Sequence, residues 1–404
     1  MKKASPFLVF FLLLAMLFSG CGRESPEAPA PETGNTVLTL ATDNVQRIEA
    51  DVAKFNSSHS DCHIEILDYS SADYDRFVTQ VMAGDVPDIL DLGFLPTRQL
   101  AEKGLLEDLY PFLDADPELS RSDFLKPVLD TCTYNGKLAC TISNFEYVVV
   151  AGPSAILGES PGITFDKFNA VLNSMPDGVS VFHPFMTREK ILRESLSIDL
   201  DNYIDWESFS CHFDSPEFIE YLQFISLLPE ALPQDITEVD FSAPALLQQT
   251  SIYSFEQYPN LINTLGTEDF TFIGFPCAHG TGNAIHIRGD LAISSSCVNK
   301  DAAWQFVRTY MTTDYQNSQP SFPCNSQLYH RRMEEAVGSG IITQAQADKV
   351  WELINSTTKT DTQNSSIYNM ILQHVSPYFA GEKRAEEVSR QVQSRVGLFL
   401  AEMQ

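Results

Sequence analysis

One short polar segment, His59-Ser-Asp-Cys62-His63, contains three side chains of the kinds that bind transition metals. Imidazole and thiolate groups this close in sequence can reach a single ion. The segment also leads directly into an apolar stretch, as a polar turn before a strand does. We therefore interpret it as a turn and expect no metal site. The same interpretation applies to Cys277-Ala-His279 and to His286.

Pairs of carboxylates suggest a second kind of chemistry. Asp199 and Asp201 are spaced as the two acidic groups of a glycoside hydrolase can be. The chain has 54 acidic residues, however, so such pairs arise by chance. It contains no Gly-x-Ser-x-Gly, His-Glu-x-x-His, P-loop or Gly-x-Gly-x-x-Gly motif. The sequence therefore predicts a protein that is not an enzyme and needs no cofactor.

The N-terminus has the features of a secretory leader. Two lysines follow Met1, the run from Phe7 to Phe18 is almost wholly apolar, and Ser19-Gly20-Cys21 closes it. The apolar run has about a dozen residues, and a membrane span needs roughly 20. Cys21 after two small residues resembles the lipobox of bacterial lipoproteins. That resemblance implies a signal peptide over 1–20, lipidation of Cys21, and a protein anchored to the cell membrane on its extracytoplasmic face.

Composition divides the rest of the chain into a tether and a body. Residues 21–35 are rich in proline and glutamate, which favours an extended, disordered segment. From Thr36 onward no second run of about 20 apolar residues occurs. The formal net charge of -28 makes a nucleic-acid partner implausible, because such a chain repels phosphate backbones. The only membrane contact expected is therefore the lipid.

The remaining cysteines leave their redox state open. Seven are left once Cys21 is set aside, and an odd number cannot all pair within one chain. Cys132 and Cys140 flank Tyr134-Asn135-Gly136-Lys137, which has the residues of a hairpin turn. They form the one pair to test for a disulfide, while free buried thiols explain the sequence equally well.

Apolar periodicity predicts an α/β protein. Residues 36–41, 63–68 and 89–92 are strand-like, and helical patterns lie between them, the first with Ile48, Val52 and Phe55 on one face. Strand, helix and strand in alternation is typical of a largely parallel sheet. The middle of the chain is more helical, and strand-like segments return at 270–275 and 290–294. A long helix from about Ala385 ends the chain.

Several phrases in this order are similar to those of the extracellular solute-binding proteins that serve ATP-driven importers, a group that includes maltose-type sugar binders. The run from Phe77 to Asp108 resembles that group's alanine-glycine-acid-x-Pro-Asp, strand, lysine-Gly-leucine-leucine sequence. The other matching phrases are Asn135-Gly136-Lys137-Leu138, 205–218, 273–276, 292–306 and 381–396. Together they cover nearly the whole mature chain.

The resemblance implies a two-lobed, periplasmic-binding-protein-like α/β fold of type II with a ligand cleft between the lobes. The first lobe would comprise residues 36–146 and 284–312, and the second 147–283 and 313–404. Ser143-Asn144 and Gly280-Thr281-Gly282 are the expected hinges, because closure needs a few loop positions that absorb backbone rotation. Ligands of open α/β sheets bind beyond the carboxyl ends of strands.

The function implied is capture of a small polar solute, most plausibly a carbohydrate, and its delivery to the permease of an ABC-type importer by a monomeric receptor. Any one candidate contact can equally be a structural residue. The candidates are Asp43, Tyr74 and Phe94 in the first lobe, Phe145 and Glu146 beside the hinge, and Phe185, Glu256 and Tyr258 in the second lobe.

Two other functions stay open at this stage. A lipoprotein of the same fold can present its ligand to a sensor kinase instead of a permease, and a secreted glycan hydrolase would act on the same solutes. The identity of the solute also stays open, since polyols and other small polar molecules suit such a cleft.

Overall fold

The computed structural model describes residues 36–69, 74–175, 179–183, 185–230, 245–277, 282–360 and 364–403. The predicted signal peptide, Cys21 and the tether lie outside these residues and stay predictions. Residues from Thr36 onward form one compact unit. No helix in the described part of the chain is long and apolar enough to cross a bilayer.

The strands of the described residues are β1 (Thr36–Thr42), β2 (Cys62–Asp68), β3 (Ile89–Asp91), β4 (Thr133–Tyr134), β5 (Lys137–Leu138), β6 (Asn144–Pro153), β7 (Ser180–Phe182), β8 (Ile204–Asp205), β9 (Ser210–Cys211), β10 (Ala245–Ile252), β11 (Phe270–Phe272), β12 (Ala284–Arg288), β13 (Leu291–Ile293) and β14 (Phe322–Pro323).

The helices are α1 (Val45–Ser58), α2 (Tyr74–Met82), α3 (Thr97–Glu102), α4 (Tyr110–Ala115), α5 (Lys126–Thr131), α6 (Ser154–Leu157), α7 (Phe165–Leu172), α8 (Arg188–Asp199), α9 (Pro216–Ser226), α10 (Tyr258–Leu265), α11 (Lys300–Val307), α12 (Thr313–Ser318), α13 (Ser326–Gly338), α14 (Gln344–Ser356), α15 (Ser365–Phe379) and α16 (Ala385–Glu402). Short 3-10 helices cover Leu92–Phe94, Arg121–Asp123, Leu200–Asn202, Phe255–Gln257 and Arg308–Met311.

A four-stranded sheet in the order β13-β3-β1-β2 forms the first lobe. β1 is parallel to β2 and β3, and β13 runs antiparallel to β3. Asn44 caps α1 by accepting a hydrogen bond from the Arg47 amide at 3.2 Å. Ile48, Val52 and Phe55 are buried on one face of α1, as the periodicity predicts. The strand, helix and strand alternation predicted for this part of the chain is therefore confirmed.

A six-stranded sheet forms the second lobe around the ten-residue β6. β6 pairs antiparallel with β10, β11, β12 and β14, and β7 runs parallel to β10 at the edge. The predicted strands at 270–275 and 290–294 are present but shorter, as β11 and β13. β6 lies in a region that the sequence presented as mainly helical, and its central position makes it the largest element that the sequence analysis missed.

Buried side chains form two core clusters. The first covers the four-stranded sheet and one face of the six-stranded sheet, and the second covers the opposite face of the six-stranded sheet. β6 alternates between them, since Tyr147, Val149 and Ala151 belong to the first cluster and Val150 to the second. Its side chains point to alternate faces, as strand geometry requires. The sheet therefore carries packed helices on both sides.

The strand pairing is relevant to the predicted lobe bounds but does not determine them. β12 falls in the segment 284–312, which the sequence analysis placed in the first lobe, yet it pairs with β6 of the six-stranded sheet. The first residues of β6 likewise precede position 147. The residue at which one lobe ends therefore stays a prediction.

The predicted hairpin after Cys132 is present as β4 and β5. Asn135 and Gly136 connect them with φ angles of 51° and 77°. A two-residue Asn-Gly turn with both φ angles positive suits the right-handed twist of the paired strands. Cys132 and Cys140 flank the hairpin as buried free thiols. Among the described residues none of the seven cysteines of the body forms a disulfide, which agrees with the alternative of reduced thiols, six of them buried.

Two glycines lie back to back where β11 ends and β12 begins. A side chain added to Gly274 would place its Cβ 2.4 Å from the carbonyl carbon of Gly282. One added to Gly282 would lie 2.3 Å from the Phe275 carbonyl oxygen. Gly274 also has a φ of 70°, a conformation that side chains rarely adopt. Of the predicted second hinge, Gly280 and Thr281 lie outside the described residues.

Candidate functional site

The carboxyl ends of β1 and β3 bring polar side chains together. The Thr42 hydroxyl donates a 2.6 Å hydrogen bond to Oδ2 of the buried Asp91, and Arg47 of α1 forms an ion pair with the same carboxylate. The Asn44 amide donates to the Thr42 hydroxyl oxygen at 3.0 Å. Parallel strands end at one edge of a sheet, so the first lobe has a charged, hydrogen-bonded edge of the kind that faces ligands.

Next to this edge, after the end of β3, lies a cavity of about 40 Å³, which we call the cleft cavity. Thr97 and the residues after β3 line it from the four-stranded sheet, and His286 and Ile287 of β12 line it from the six-stranded sheet. The lining residues are Leu92, Gly93, Leu95, Thr97, Thr131, Cys132, Tyr134, Cys140, His286, Ile287, Asp290 and Thr360. The cavity therefore lies between the two sheets.

Asp290 is the only carboxylate among the described lining residues. Burial and the nearby Asp91 carboxylate raise the pKa of Asp290 to about 7, although His286 and Arg47 act in the opposite direction. Its backbone carbonyl accepts a 2.9 Å hydrogen bond from Leu92, so the chain around it is fixed to the end of β3. The group can therefore exchange a proton near neutral pH while it faces the cavity.

Two ion pairs lie next to residues that line this cavity, and the first of them joins the two lobes. Arg98 of α3, whose neighbour Leu100 lies in the first core cluster, pairs with Asp201, which lies beside Leu200 of the second cluster. The Trp206 indole holds the same carboxylate through a 2.6 Å hydrogen bond from its Nε1. A second pair joins Lys359 to Asp199 at the end of α8.

Of the three residues predicted from the first lobe, only Asp43 has a described side chain. Asp43 is exposed at the carboxyl end of β1, and partial burial of its carboxyl, followed by the nearby Asp91, raises its pKa. Tyr74 begins α2 and Phe94 ends the first 3-10 helix, but their side chains lie outside the described part of the structure. Phe94 stands between Gly93 and Leu95, both of which line the cavity.

The two residues predicted beside the hinge have structural contacts. Phe145 is fully buried, with its ring 5.2 Å from that of Tyr147 and 5.6 Å from that of Phe322. The buried Glu146 forms a 2.8 Å ion pair with Arg288 across the β6–β12 pairing. Its direct opposite in that register is His286. The sequence thus placed Glu146 next to a cavity residue without identifying that residue.

The residues predicted from the second lobe lie apart from the cavity. Phe185 stacks on His183 at a ring distance of 5.1 Å, and Glu256 is exposed in a 3-10 helix. Tyr258 is buried, with its ring 5.2 Å from that of Phe270, and burial raises its pKa. Among the described side chains none of the eight candidates lines the cavity, so their role in binding stays a prediction.

His286 and Asp290 are the cavity residues that the sequence analysis missed. His286 was set aside as an improbable metal ligand, and Asp290 was treated only as the start of a strand. A signal was present, because Asp290 follows Gly289 directly before the short strand Leu291–Ile293. Among the described residues no group of three or more potential ligands has the geometry of a metal site. His59 instead stacks on Phe55 at 4.0 Å, in the turn before β2.

Comparison with known proteins identifies the family. A sequence model of the bacterial extracellular solute-binding protein family matches residues 50–321, which is more than half of the chain. The chain belongs to this family. No curated protein sequence matches it.

Solved structures agree with this solute-binding protein in fold. The sugar-binding protein MalE of Xanthomonas citri has 16% identity and a TM-score of 0.59, over 91% of this chain and 98% of its own. A substrate-binding protein of Listeria monocytogenes in complex with cycloalternan has 15% identity and a TM-score of 0.55, over 91% and 100%. A cyclic alpha-maltosyl-1,6-maltose binding protein of Arthrobacter globiformis has 17% identity and a TM-score of 0.55 over the same shares. The predicted two-lobed fold is confirmed.

Proposed function

We propose that this solute-binding protein is a lipid-anchored receptor on the extracytoplasmic face of the cell membrane that binds a carbohydrate and delivers it to an ABC-type importer. Membership of the extracellular solute-binding family supports the receptor role. Proteins of the same fold are described as binding maltose, cycloalternan and alpha-D-tagatose. These descriptions, together with the hydroxyl, imidazole and carboxylate groups among the cavity's lining residues, favour a carbohydrate over other small solutes.

The observation that carries this proposal is the small cavity between the two sheets. A water molecule needs only about 10–15 Å³ of this kind of volume, so 40 Å³ holds a few waters and is too small for a sugar ring. Solute entry therefore requires the lobes to separate, and the Arg98–Asp201 pair joins the two proposed lobes where that separation would occur. Hinged closure around a ligand is the motion that such two-lobed proteins use.

In this proposal the first lobe comprises residues 36–146 and 284–312, and the second comprises 147–283 and 313–404. Binding involves no covalent chemistry. A micromolar dissociation constant corresponds to about 8 kcal/mol, which a few hydrogen bonds and the exclusion of water between the lobes can supply. Of the contacts predicted from the sequence we retain Asp43, because it lies at the same sheet edge as Asp91.

A thermal-shift screen tests the receptor role. Residues 36–404 form one compact unit that contains both core clusters, so this segment can be used without the leader. A true ligand at 100 times its dissociation constant adds about 2.7 kcal/mol of stability. The panel contains monosaccharides, oligosaccharides, polyols and amino acids. Stabilisation by amino acids alone would contradict the carbohydrate assignment, and any reaction product would contradict the receptor role.

A deletion strain tests delivery to an importer. We expect loss of the protein to abolish uptake of the radiolabelled sugar that scored in the screen. An unchanged uptake rate with a lost transcriptional response would instead identify a partner of a sensor kinase. For the anchor, Cys21→Ala should abolish incorporation of labelled fatty acid and release the protein from the membrane fraction. A Cys62→Ala variant, which changes a thiol of the body, is the control and should remain attached.

A further inference from the structure

The distribution of charge around the cleft cavity limits the kind of solute that it accepts. No lysine or arginine is among the described residues that line it, whereas the Asp290 carboxylate is. The remaining polar lining groups are hydroxyls and the His286 imidazole, which hydrogen-bond to neutral ligands. An anionic solute would therefore face a carboxylate and no permanent positive charge.

The cations nearest to the lining residues are already neutralised. Arg98 follows the lining residue Thr97 and pairs with Asp201. Arg288 follows Ile287 and pairs with Glu146, and Lys359 precedes Thr360 and pairs with Asp199.

Arg47, which acts on Asp290 electrostatically, is paired with Asp91 in the same way. Releasing one of these cations to a ligand leaves a carboxylate unpaired, and for the mostly buried Glu146, Asp199 and Asp91 that is costly. The arrangement therefore disfavours a negatively charged solute. Specific binding sites commonly exclude related molecules by such charge repulsion.

We propose that the cleft is selective for uncharged, hydroxyl-bearing solutes and rejects acidic sugars, with Asp290 accepting a hydrogen bond from a solute hydroxyl and His286 beside it as a second contact. This inference rests on the proposed receptor function and specifies its solute class. A carboxylate that accepts from a hydroxyl makes a charge-assisted hydrogen bond, which is about twice as strong as a neutral one.

The proposal has a pH-dependent consequence. The ionised form of Asp290 is the acceptor, and burial has raised its pKa to about 7, so affinity should fall as the pH drops from 8 to 6. The titratable and charged groups that act on Asp290 or share its cavity are Asp91, Arg47, His286, Tyr134, Cys132 and Cys140. His286 lines the same cavity and acts on Asp290 electrostatically, so the pH profile is compared between Asp290→Asn and His286→Gln.

The test uses residues 36–404 and matched pairs of solutes. Each neutral sugar of the panel is paired with its uronic acid and its phosphate ester, and binding is measured by thermal shift and calorimetry at pH 8. We expect stabilisation by a neutral member and none by the acidic ones. Asp290→Asn should weaken binding of that sugar about 10- to 100-fold, the range for a hydrogen bond to a charged group. The exposed Asp166→Asn is the matched control and should leave affinity unchanged.

Each outcome has one meaning. Binding of a uronic acid or phosphate ester as tightly as its neutral counterpart overturns the inference and leaves the receptor function intact. Wild-type affinity and an unchanged pH profile in Asp290→Asn overturn the assigned contact. If Asp290→Asn does not fold, His286→Gln is measured instead. Wild-type sugar affinity and a wild-type pH profile in His286→Gln would then contradict binding at the cleft cavity. Failure of every sugar to bind contradicts the proposed carbohydrate receptor itself.

Discussion

Two helix contacts, one in each lobe of this protein, depend on different interactions. In the first lobe Asp116 receives two hydrogen bonds from Arg308, at 2.5 and 2.8 Å, and one from the Trp304 indole at 3.2 Å. In the second lobe Tyr203, Phe213 and Phe218 form an aromatic group with ring distances of 5.1 to 5.4 Å. Charge fixes the contact around Asp116, and ring packing fixes the contact around Phe213.

This difference indicates which residues contribute to ligand binding and which to stability. Intact buried ion pairs add little net stability, but they fix geometry, and removing one partner is costly. Asp290, which lies near Asp91 at the charged edge, lines the cleft cavity, whereas the aromatic group lies within the second core cluster. We therefore expect stability to depend most on the second lobe's rings and affinity to depend most on the first lobe's charges.

The largest effect should come from Phe213→Ala. Phe213 is fully buried between the rings of Tyr203 and Phe218, so its loss leaves a cavity and should lower the free energy of unfolding by about 3–5 kcal/mol. Urea denaturation followed by circular dichroism measures this. Leu398→Ala, at a side chain that is 53% exposed, is the control and should change stability by about 0.5 kcal/mol or less. Equal losses in the two variants would contradict the importance assigned to the aromatic group.

Arg308→Ala should have the next largest effect. Asp116 is almost fully buried, and without Arg308 its charge is uncompensated, which should cost about 3 kcal/mol at pH 7. Burial acts to raise the pKa of Asp116, but the hydrogen bonds from Arg308 and the backbone outweigh it and lower that pKa.

The sign of its pH dependence follows from that lowered pKa. The contribution of Asp116 is present above the ordinary aspartate pKa and is lost as the pH falls below it. The difference in unfolding free energy between wild type and Arg308→Ala should therefore narrow between pH 5 and pH 3. A difference that widens toward low pH would show that the charge pair is not its source.

Asp290→Asn should act in the opposite direction on stability. The pKa of Asp290 is raised to about 7, so the folded protein loses stability as the pH rises from about 4 toward 7. The full shift corresponds to at most about 4 kcal/mol. We expect about half of that, roughly 2 kcal/mol, because the side chain is only half-buried. Asp290→Asn should therefore be more stable than wild type at pH 8 and equal to it near pH 4. If Asp290→Asn is instead less stable than wild type at pH 8, the ionised Asp290 carboxylate does not lower the stability of the folded protein, and this prediction is wrong.

The smallest effect on stability should come from Arg98→Ala. Arg98 and Asp201 are each about one-third exposed, so their pair should contribute about 0.5 kcal/mol. Its effect on shape should be larger than its effect on stability, because it joins the lobes. We expect small-angle scattering without ligand to show a larger radius of gyration for Arg98→Ala than for wild type. Arg193→Ala removes an exposed pair within α8 and should leave the scattering curve unchanged.

The sequence predicted the first lobe better than the second, for physical reasons. β1, α1 and β2 follow one another with clear apolar periodicity, and their partners are neighbours in the chain. β6 pairs with strands that lie up to about 180 residues further on, and its apolar run Val148–Ala151 has no alternation because both faces are buried. Periodicity alone cannot distinguish such a run from a buried helical segment.

The site was harder to predict than the fold. Cavity residues such as Thr97, Tyr134, His286 and Thr360 come from four separate elements, and only the folded chain brings them together. Asp43 was predicted because it follows a recognisable strand, and its contact with a ligand stays a prediction, whereas Asp290 was missed because it precedes a strand. Phe145 was predicted as a contact beside the hinge and Tyr258 as one in the second lobe, but both side chains are buried in the core. Residue type at an expected position does not determine which way a side chain faces.

The backbone contact between Gly274 and Gly282 restricts both positions to glycine. A saturation library should return glycine alone at these two positions, since even alanine would overlap the opposite main chain. A side chain at either position should instead force apart the main-chain segments that follow β11 and precede β12, so the two glycines set the distance between these segments.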